Sequence, residues 1–284
     1  MMMKRFLAPL ALLALPLMVS AQDLPAPSPS AKVEQRIGLT DVTVSYSRPS
    51  AKGRTIFGDL VPYNELWRLG ANKATLLETT GLLYTEGGKL PPGKYAVFAI
   101  PTDREWELVF NSDTELWGTD GYKQEKDVLR IKVPKTEVPM TETFTIGFDN
   151  LTQDKGELVF RWERTQVALA IESPSTDQGM ANIREALAKP DADFRAYARS
   201  AAFALDRGAD PKEAYQWASK SVTMEKKYWN TFTLAKAQAA MEMYPEAIAT
   251  GKEAVALATA EKDSGAQKSY QEKVNEWTAK AGGK

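Results

Sequence analysis

The run Phe144-Thr145-Ile146-Gly147-Phe148, the step Gln153-Asp154-Lys155-Gly156 and the run Leu158-Val159-Phe160-Arg161-Trp162-Glu163 decide the fold class. In each run large apolar residues stand two apart, so they fall on one side of an extended chain. The step between them carries the Asp and Gly of a turn. Two strands so joined form an antiparallel pair, and the same period extends outward from them. Val33, Gln35, Ile37 and Leu39 share a side, as do Val42, Val44 and Tyr46; Trp106, Leu108 and Phe110 repeat the pattern, and Val167, Leu169 and Ile171 close it. Lys94 to Ile100 is apolar on both sides, which marks a central strand. About nine short strands with turn signals between them predict an all-β antiparallel sandwich over residues 32–172.

Beyond Ser173-Pro174-Ser175-Thr176-Asp177 the period changes to 3.6. Ala-rich amphipathic stretches at roughly 180–189, 191–207, 211–226, 229–243, 245–262 and 266–280 predict a small all-α helical-repeat domain over residues 182–284, behind a linker at 173–181. Gly208 stops one helix, and Pro211 and Pro245 occupy first-turn positions. Ala201-Ala202, Ala214 and Ser221 recur 33 residues later as Leu234-Ala235, Ala247 and Ala254. Small residues at these offsets let paired helices approach closely, and in this the region resembles the tetratricopeptide repeat. The early Trp and Gly positions of that repeat are imperfect here, and a plain helical bundle fits the same pattern.

Composition narrows the chemistry. The 284 residues include 43% hydrophobic and 26% charged residues, ordinary globular proportions, with Lys+Arg 36 against Asp+Glu 37. A net charge of −1 is too balanced for a nucleic-acid partner recognised by bulk charge. The chain has no Cys and no His. Thiol nucleophiles, disulfides, thiolate or imidazole metal sites, haem ligation by His and a Ser-His-Asp triad are therefore excluded. Gly88-Lys89-Leu90-Pro91-Pro92-Gly93-Lys94-Tyr95 has phosphate-loop spacing, but Tyr95 replaces the hydroxyl and two prolines remove amide donors. Asp113, Glu115 and Asp120 lack the rest of a calcium loop, with Trp117 at its fifth position. Asn150-Leu151-Thr152 matches the glycosylation triplet, which is too short to decide anything. No catalytic residue, cofactor or metal ligand is assigned.

The first residues, Met1-Met2-Met3-Lys4-Arg5, precede an apolar run from Phe6 to Val19 and the small residues Ser20-Ala21. This is the grammar of a signal peptide over residues 1–21, cut before Gln22. The run is shorter than the ~20 residues of a membrane span and contains Pro9 and Pro16. The expectation is a chain exported to the periplasm or beyond, with no membrane span once the leader is removed. Loss of Lys4 and Arg5 takes its net charge from −1 to −3. A Pro/Ser spacer follows at 22–31.

One stretch is unlike the rest. Between strands ending near Arg48 and starting near Lys73 lies a connection of over twenty residues, long enough to be functional or to carry structure of its own. Asn64-Glu65-Leu66-Trp67 is expected to form a helical turn. From Arg48 to Thr75 there are five basic residues (Arg48, Lys52, Arg54, Arg68, Lys73) and two acids (Asp59, Glu65). Arginine forks beside aromatic rings suit a carboxylate, a phosphate or a sugar face. The candidate ligand residues are Arg48, Arg54, Tyr63, Trp67, Arg68 and Asn72. The alternative is that these arginines brace the loop through carbonyl oxygens and Asp59 or Glu65.

Tyr46-Ser47-Arg48-Pro49, Gly53-Arg54, Ile56-Phe57-Gly58-Asp59-Leu60-Val61-Pro62-Tyr63, Leu66-Trp67-Arg68 and Gly70-Ala71-Asn72-Lys73-Ala74-Thr75, together with Leu90 to Tyr95, Ile100-Pro101, Trp106, Trp117-Gly118 and Trp162-Glu163, carry a resemblance. Over about residues 28–172 the chain resembles the bacterial domain of unknown function 2911. The resemblance implies a β-rich domain and an exported, Bacteroidetes-type protein, and it brings no catalytic residues. Three functions then stand open. The first is a non-catalytic envelope module that binds a small anionic or sugar-like ligand at the loop and a protein through its helices. The second is a hydrolase using carboxylates of the 48–75 loop such as Asp59 and Glu65. The third is a scaffold without ligand.

Overall fold

A computed structural model describes residues 24–283. The leader at 1–21 and its cleavage point fall outside these residues.

Nine strands form one antiparallel sheet: β1 (Ser30–Ile37), β2 (Thr40–Ser47), β3 (Thr75–Thr79), β4 (Leu83–Thr85), β5 (Gly88–Leu90), β6 (Gly93–Pro101), β7 (Glu105–Asn111), β8 (Asp127–Asp149) and β9 (Lys155–Glu172). They lie in the order β1-β2-β3-β6-β7-β8-β9-β4-β5. β8 belongs to two layers. Its first part pairs with β7 from Asp127 to Pro134, and its second pairs with β9 from Lys135 to Asp149. The register shifts twice between Glu137 and Thr145, around Pro139, which has no N–H to offer the ladder. Across that region the core-facing residues change from odd (Leu129, Ile131, Val133) to even (Phe144, Ile146). β9 makes the reverse change, from Leu158, Phe160 and Trp162 to Val167, Leu169 and Ile171. Glu163, in the left-handed region at φ 54°, stands at that change.

The two layers close on one core. Tyr46 of β2 meets Phe144 edge-on at 5.8 Å, and Trp106 of β7 meets Phe160 of β9 at 6.5 Å. β6 is buried on both sides as its composition predicts. Tyr95, Val97 and Ala99 face the main core, while Ala96 and Phe98 pack with Ala74, Val109 and Leu116 under the loops outside it.

Six helices follow among the described residues: α1 (Thr176–Leu187), α2 (Phe194–Asp206), α3 (Pro211–Met224), α4 (Tyr228–Ala240), α5 (Tyr244–Ala260) and α6 (Ser264–Gly282). Asp193, Asp210 and Asp263 cap α2, α3 and α6 by accepting from backbone N–H groups, and Pro211 opens α3. Gly208 follows α2 at φ 64°. The echoed small residues Ala201, Ala214, Ser221, Ala235, Ala247 and Ala254 are all fully buried. α1 starts at Thr176, inside the stretch read from sequence as a linker at 173–181.

That junction is packed. The Ser173 and Thr40 hydroxyls lie 2.7 Å apart, and Ser173 N–H donates to the Asp154 carbonyl at 2.8 Å. The Asp154 carboxylate accepts from Ser175 Oγ at 2.6 Å and forms an ion pair with Arg207, both charged side chains being more than four-fifths buried. A Cβ on Gly38, which sits at φ 60°, would collide with the Ser173 carbonyl oxygen. The turn between β8 and β9 thus holds the end of α2.

Candidate functional site

Residues 48–74 wrap one end of the sandwich, held there by side-chain hydrogen bonds of Arg48, Ser50, Arg54, Trp67 and Asn72. Arg48 donates from Nε to the Phe144 carbonyl at 3.1 Å and from Nη2 to Thr145 Oγ1 at 2.8 Å. Arg54 donates to the carbonyls of Ala51 and Ser50 at 3.0 and 2.7 Å. The expected helical turn at Asn64–Trp67 does not form. Asn64 takes φ 63°, and Trp67 pairs in extended conformation with Ala99 through bonds of 2.7 and 2.9 Å. That pairing drives the Trp67 indole into the core, 9% exposed, among Phe57, Trp106, Phe144 and Trp162 at ring distances of 5.3–6.0 Å. Tyr63, half-buried, packs over Gly58. Asp59 and Glu65 are exposed.

Arg68 differs from its neighbours. Among the described residues its guanidinium has no hydrogen-bond or ion-pair partner, and its Nε is buried. The backbone after it is tightly wound. Leu69 (φ 52°) is fully buried and Asn72 has φ 61°, both in the left-handed region that side chains with a Cβ avoid. Gly70 lies between them at φ 151°, where a Cβ would come within 2.9 Å of the Ser47 carbonyl. Thr75 Oγ1 donates to the Leu69 carbonyl at 2.5 Å, and the Asn72 amide reaches Ser47 Oγ and the Ser28 carbonyl at 3.3 and 3.4 Å.

A second loop, 112–126, closes on this turn. Leu116 anchors it in the outer core, Ala74 N–H donates to the Leu116 carbonyl, and Gly118 N–H donates to the Asn72 carbonyl at 3.2 Å. Lys126 bonds Asp113 at 2.6 Å and holds that carboxyl below its usual range, with the Glu115 N–H assisting. Lys73 pairs with Trp117 across the two loops. The Trp117 indole is 61% exposed, and the next residue, Gly118, lies beside Arg68 Nη1.

Of the six candidates, then, Arg48, Arg54 and Asn72 tie the loop down, Trp67 and Tyr63 pack it, and Arg68 is the one that, among the described residues, has a buried side-chain nitrogen without a partner. The five cavities described among these residues are lined by others. Gly118, beside Arg68 Nη1, and the preceding Trp117 were outside the ligand set chosen from sequence. The signal for them was a large aromatic in an otherwise polar stretch, Ser112 to Tyr122. Chemically, an unpaired guanidinium fork receives a carboxylate or phosphate. Among the described residues no group of acids is placed to hold a metal ion, and no helix is long and apolar enough to cross a membrane.

A family model described as a protein of unknown function, DUF2911, matches residues 28–171. The chain belongs to the DUF2911 family. No curated protein and no solved structure matches it. The DUF2911 segment ends within one residue of the end of β9, so it takes in the whole sandwich and stops before α1. Arg68, the wound turn and the Trp117 loop all lie inside it.

Proposed function

We propose that the DUF2911 domain is a non-catalytic binding module of an exported envelope protein, which captures a small anionic group at Arg68, and that the helices behind it meet a protein partner. One observation carries the reading: a guanidinium whose Nε is buried and unpartnered. A buried donor left unsatisfied costs about 1–3 kcal/mol, and more when charged. Leu69 and Asn72 add backbone strain of about 1–3 kcal/mol each within four residues of it. Unrelieved costs concentrated at one turn favour a ligand that relieves them. Trp117, largely exposed and next in the chain to Gly118, offers an apolar face close by. Hydrolysis by Asp59 and Glu65 has less in its favour, since both are exposed and neither lines a described cavity.

Calorimetric titration with phosphate, acetate and glucuronate tests this. The full chain should bind at least one of them, and Arg68→Gln should weaken binding roughly tenfold or more, the loss of a charge-assisted bond. The melting temperature should stay level or rise, because the variant removes an unsatisfied buried charge. No binding by the wild type, together with a melting temperature several degrees lower in Arg68→Gln, would make Arg68 architectural. Export has its own check. A precursor made in a bacterium should be recovered outside the cytoplasm with Gln22 as its first residue, and an intact Met1 on the mature form would contradict it.

A further inference from the structure

β9 is eighteen residues long, yet its ends touch: Lys155 and Glu172, its first and last residues, form an ion pair at 3.2 Å. The strand is bent back at Glu163, so the two layers part at this end and leave a mouth between them. On the far side the β4–β5 hairpin meets β9 at a single register pair, Tyr84 with Glu172, and then diverges. The result is a cavity of about 490 Å³. That size is within the range of small-molecule sites, which favour such mouths.

The lining is set for a ligand of particular chemistry. Tyr84 supplies a half-buried ring as one wall. Opposite it Asn150 donates to Glu157 at 2.9 Å, leaving carboxylate and amide edges turned to each other in fixed positions. Glu86 on the hairpin is exposed, and its side chain has no partner among the described residues. Gly156 and Ile171, both buried, contribute an apolar part. Three carboxylates (Glu86, Glu157, Glu172) stand against two ammonium groups, Lys155 in the lining and Lys89 at 5.1 Å from the centre of the Tyr84 ring, the reverse of the charge at Arg68. Such walls repel an anion and attract an amine. The remaining Tyr84 face and the unpartnered Glu86 carboxylate match a ring that carries an amine and hydroxyl groups.

We propose that the mouth between the β4–β5 hairpin and the β8–β9 turn is a second ligand site, for an amine-bearing polyhydroxylated molecule of the amino-sugar class. The site adjoins the seat of the helical domain. Asp154, which holds Arg207, precedes Lys155, and Ser173, bonded to Thr40, follows Glu172. A ligand ammonium that competes with Lys155 for Glu172 therefore acts on residues next to both attachment points.

The test uses the mature full-length chain with glucosamine as probe and glucuronate as the charge-reversed control. Calorimetry should show glucosamine binding that Glu86→Gln and Tyr84→Ala each weaken roughly tenfold, with no heat from glucuronate in Arg68→Gln, which lacks the anion site. Glu86 is exposed, so Glu86→Gln should fold whatever Tyr84→Ala does. Arg68→Gln should leave glucosamine binding unchanged, which separates this site from the anion site. Hydrogen exchange at Ser175–Gly179 should change when glucosamine is added. Absence of glucosamine binding, equal binding by Glu86→Gln, or loss of binding in Arg68→Gln would each overturn the proposal.

Discussion

Arg207→Ala is expected to free the helical domain from the sandwich. Asp154 and Arg207 are each mostly withdrawn from water, with side-chain exposures of 14% and 16%. Removing one partner of such a pair strands the other charge, at a cost of about 3–5 kcal/mol. Undocking of the helices relieves that cost by rehydrating Asp154, so the segment 173–176 should become open to proteases while both parts keep their secondary structure. Limited proteolysis, with circular dichroism on the fragments, reads this directly. A double variant, Asp154→Leu with Arg207→Met, should recover much of the protection, because an apolar pair of similar volume carries no stranded charge. Acid should mimic the single variant. Burial alone would raise the Asp154 pKa, but hydrogen bonds from Arg207 and Ser175 and the Arg207 charge outweigh it, and the net shift is downward. A depressed carboxyl stabilises the docked state fully above its unfolded value, near 3.9, and loses that contribution as pH falls through the lowered one. Proteolysis of the wild-type junction should therefore begin only below about pH 4, and an onset near neutrality would refute the clamp.

Trp67→Ala is expected to be as damaging, for a different reason. The indole stacks on Trp162 at 5.8 Å and meets Trp106 and Phe144 edge-on, and its Nε1 donates to the Gly70 carbonyl at 3.3 Å. Truncating a core Trp costs about 3–5 kcal/mol, and here it also removes the wedge that holds residues 67–70 against β6. For a domain of this size the melting temperature should fall by roughly 10 °C. A calorimetric scan showing less than about 3 °C, a loss near 1 kcal/mol, would mean that Trp67 does not anchor the core. Comparison with Arg68→Gln sets the two adjacent residues apart: one holds the fold, and the other binds.

The period-two runs revealed most of the sheet, because alternation is a local property of each strand; β4, β5 and the part of β8 before Thr143 carried no such run and were missed. Even the bend of β9 left a trace, in the step from even-numbered Leu158, Phe160 and Trp162 to odd-numbered Val167, Leu169 and Ile171. The helices were legible through Pro211, Gly208 and the buried small residues for the same reason. What escaped depended on partners distant in sequence. Nothing beside Arg48 indicates that it will meet Phe144, and nothing beside Asp154 indicates Arg207. Three arginines in one loop looked alike in sequence; the structure gives two of them carbonyl partners and leaves the third without one. Ser173 to Asp177 read as a linker because it is polar and contains Pro174, yet its two serine hydroxyls are used up in bonds to Thr40 and Asp154.

The placement of β4 and β5 has a consequence in time. Every other strand of the sheet lies beside a strand close to it in the chain, whereas this hairpin, made at residues 83–90, crosses to the far edge to meet β9. Leu83 and Leu90, buried in the finished core, belong to a hairpin that has no strand partner of its own in the sheet until Glu172 exists. At about 5–20 residues per second, a ribosome takes roughly 4–16 s to cover that interval. For those seconds the nascent chain carries an uncovered greasy hairpin and an unfinished sheet edge, the state that chaperones recognise and that aggregates recruit. The sandwich cannot be completed piecemeal from its first strands; it waits for its last one.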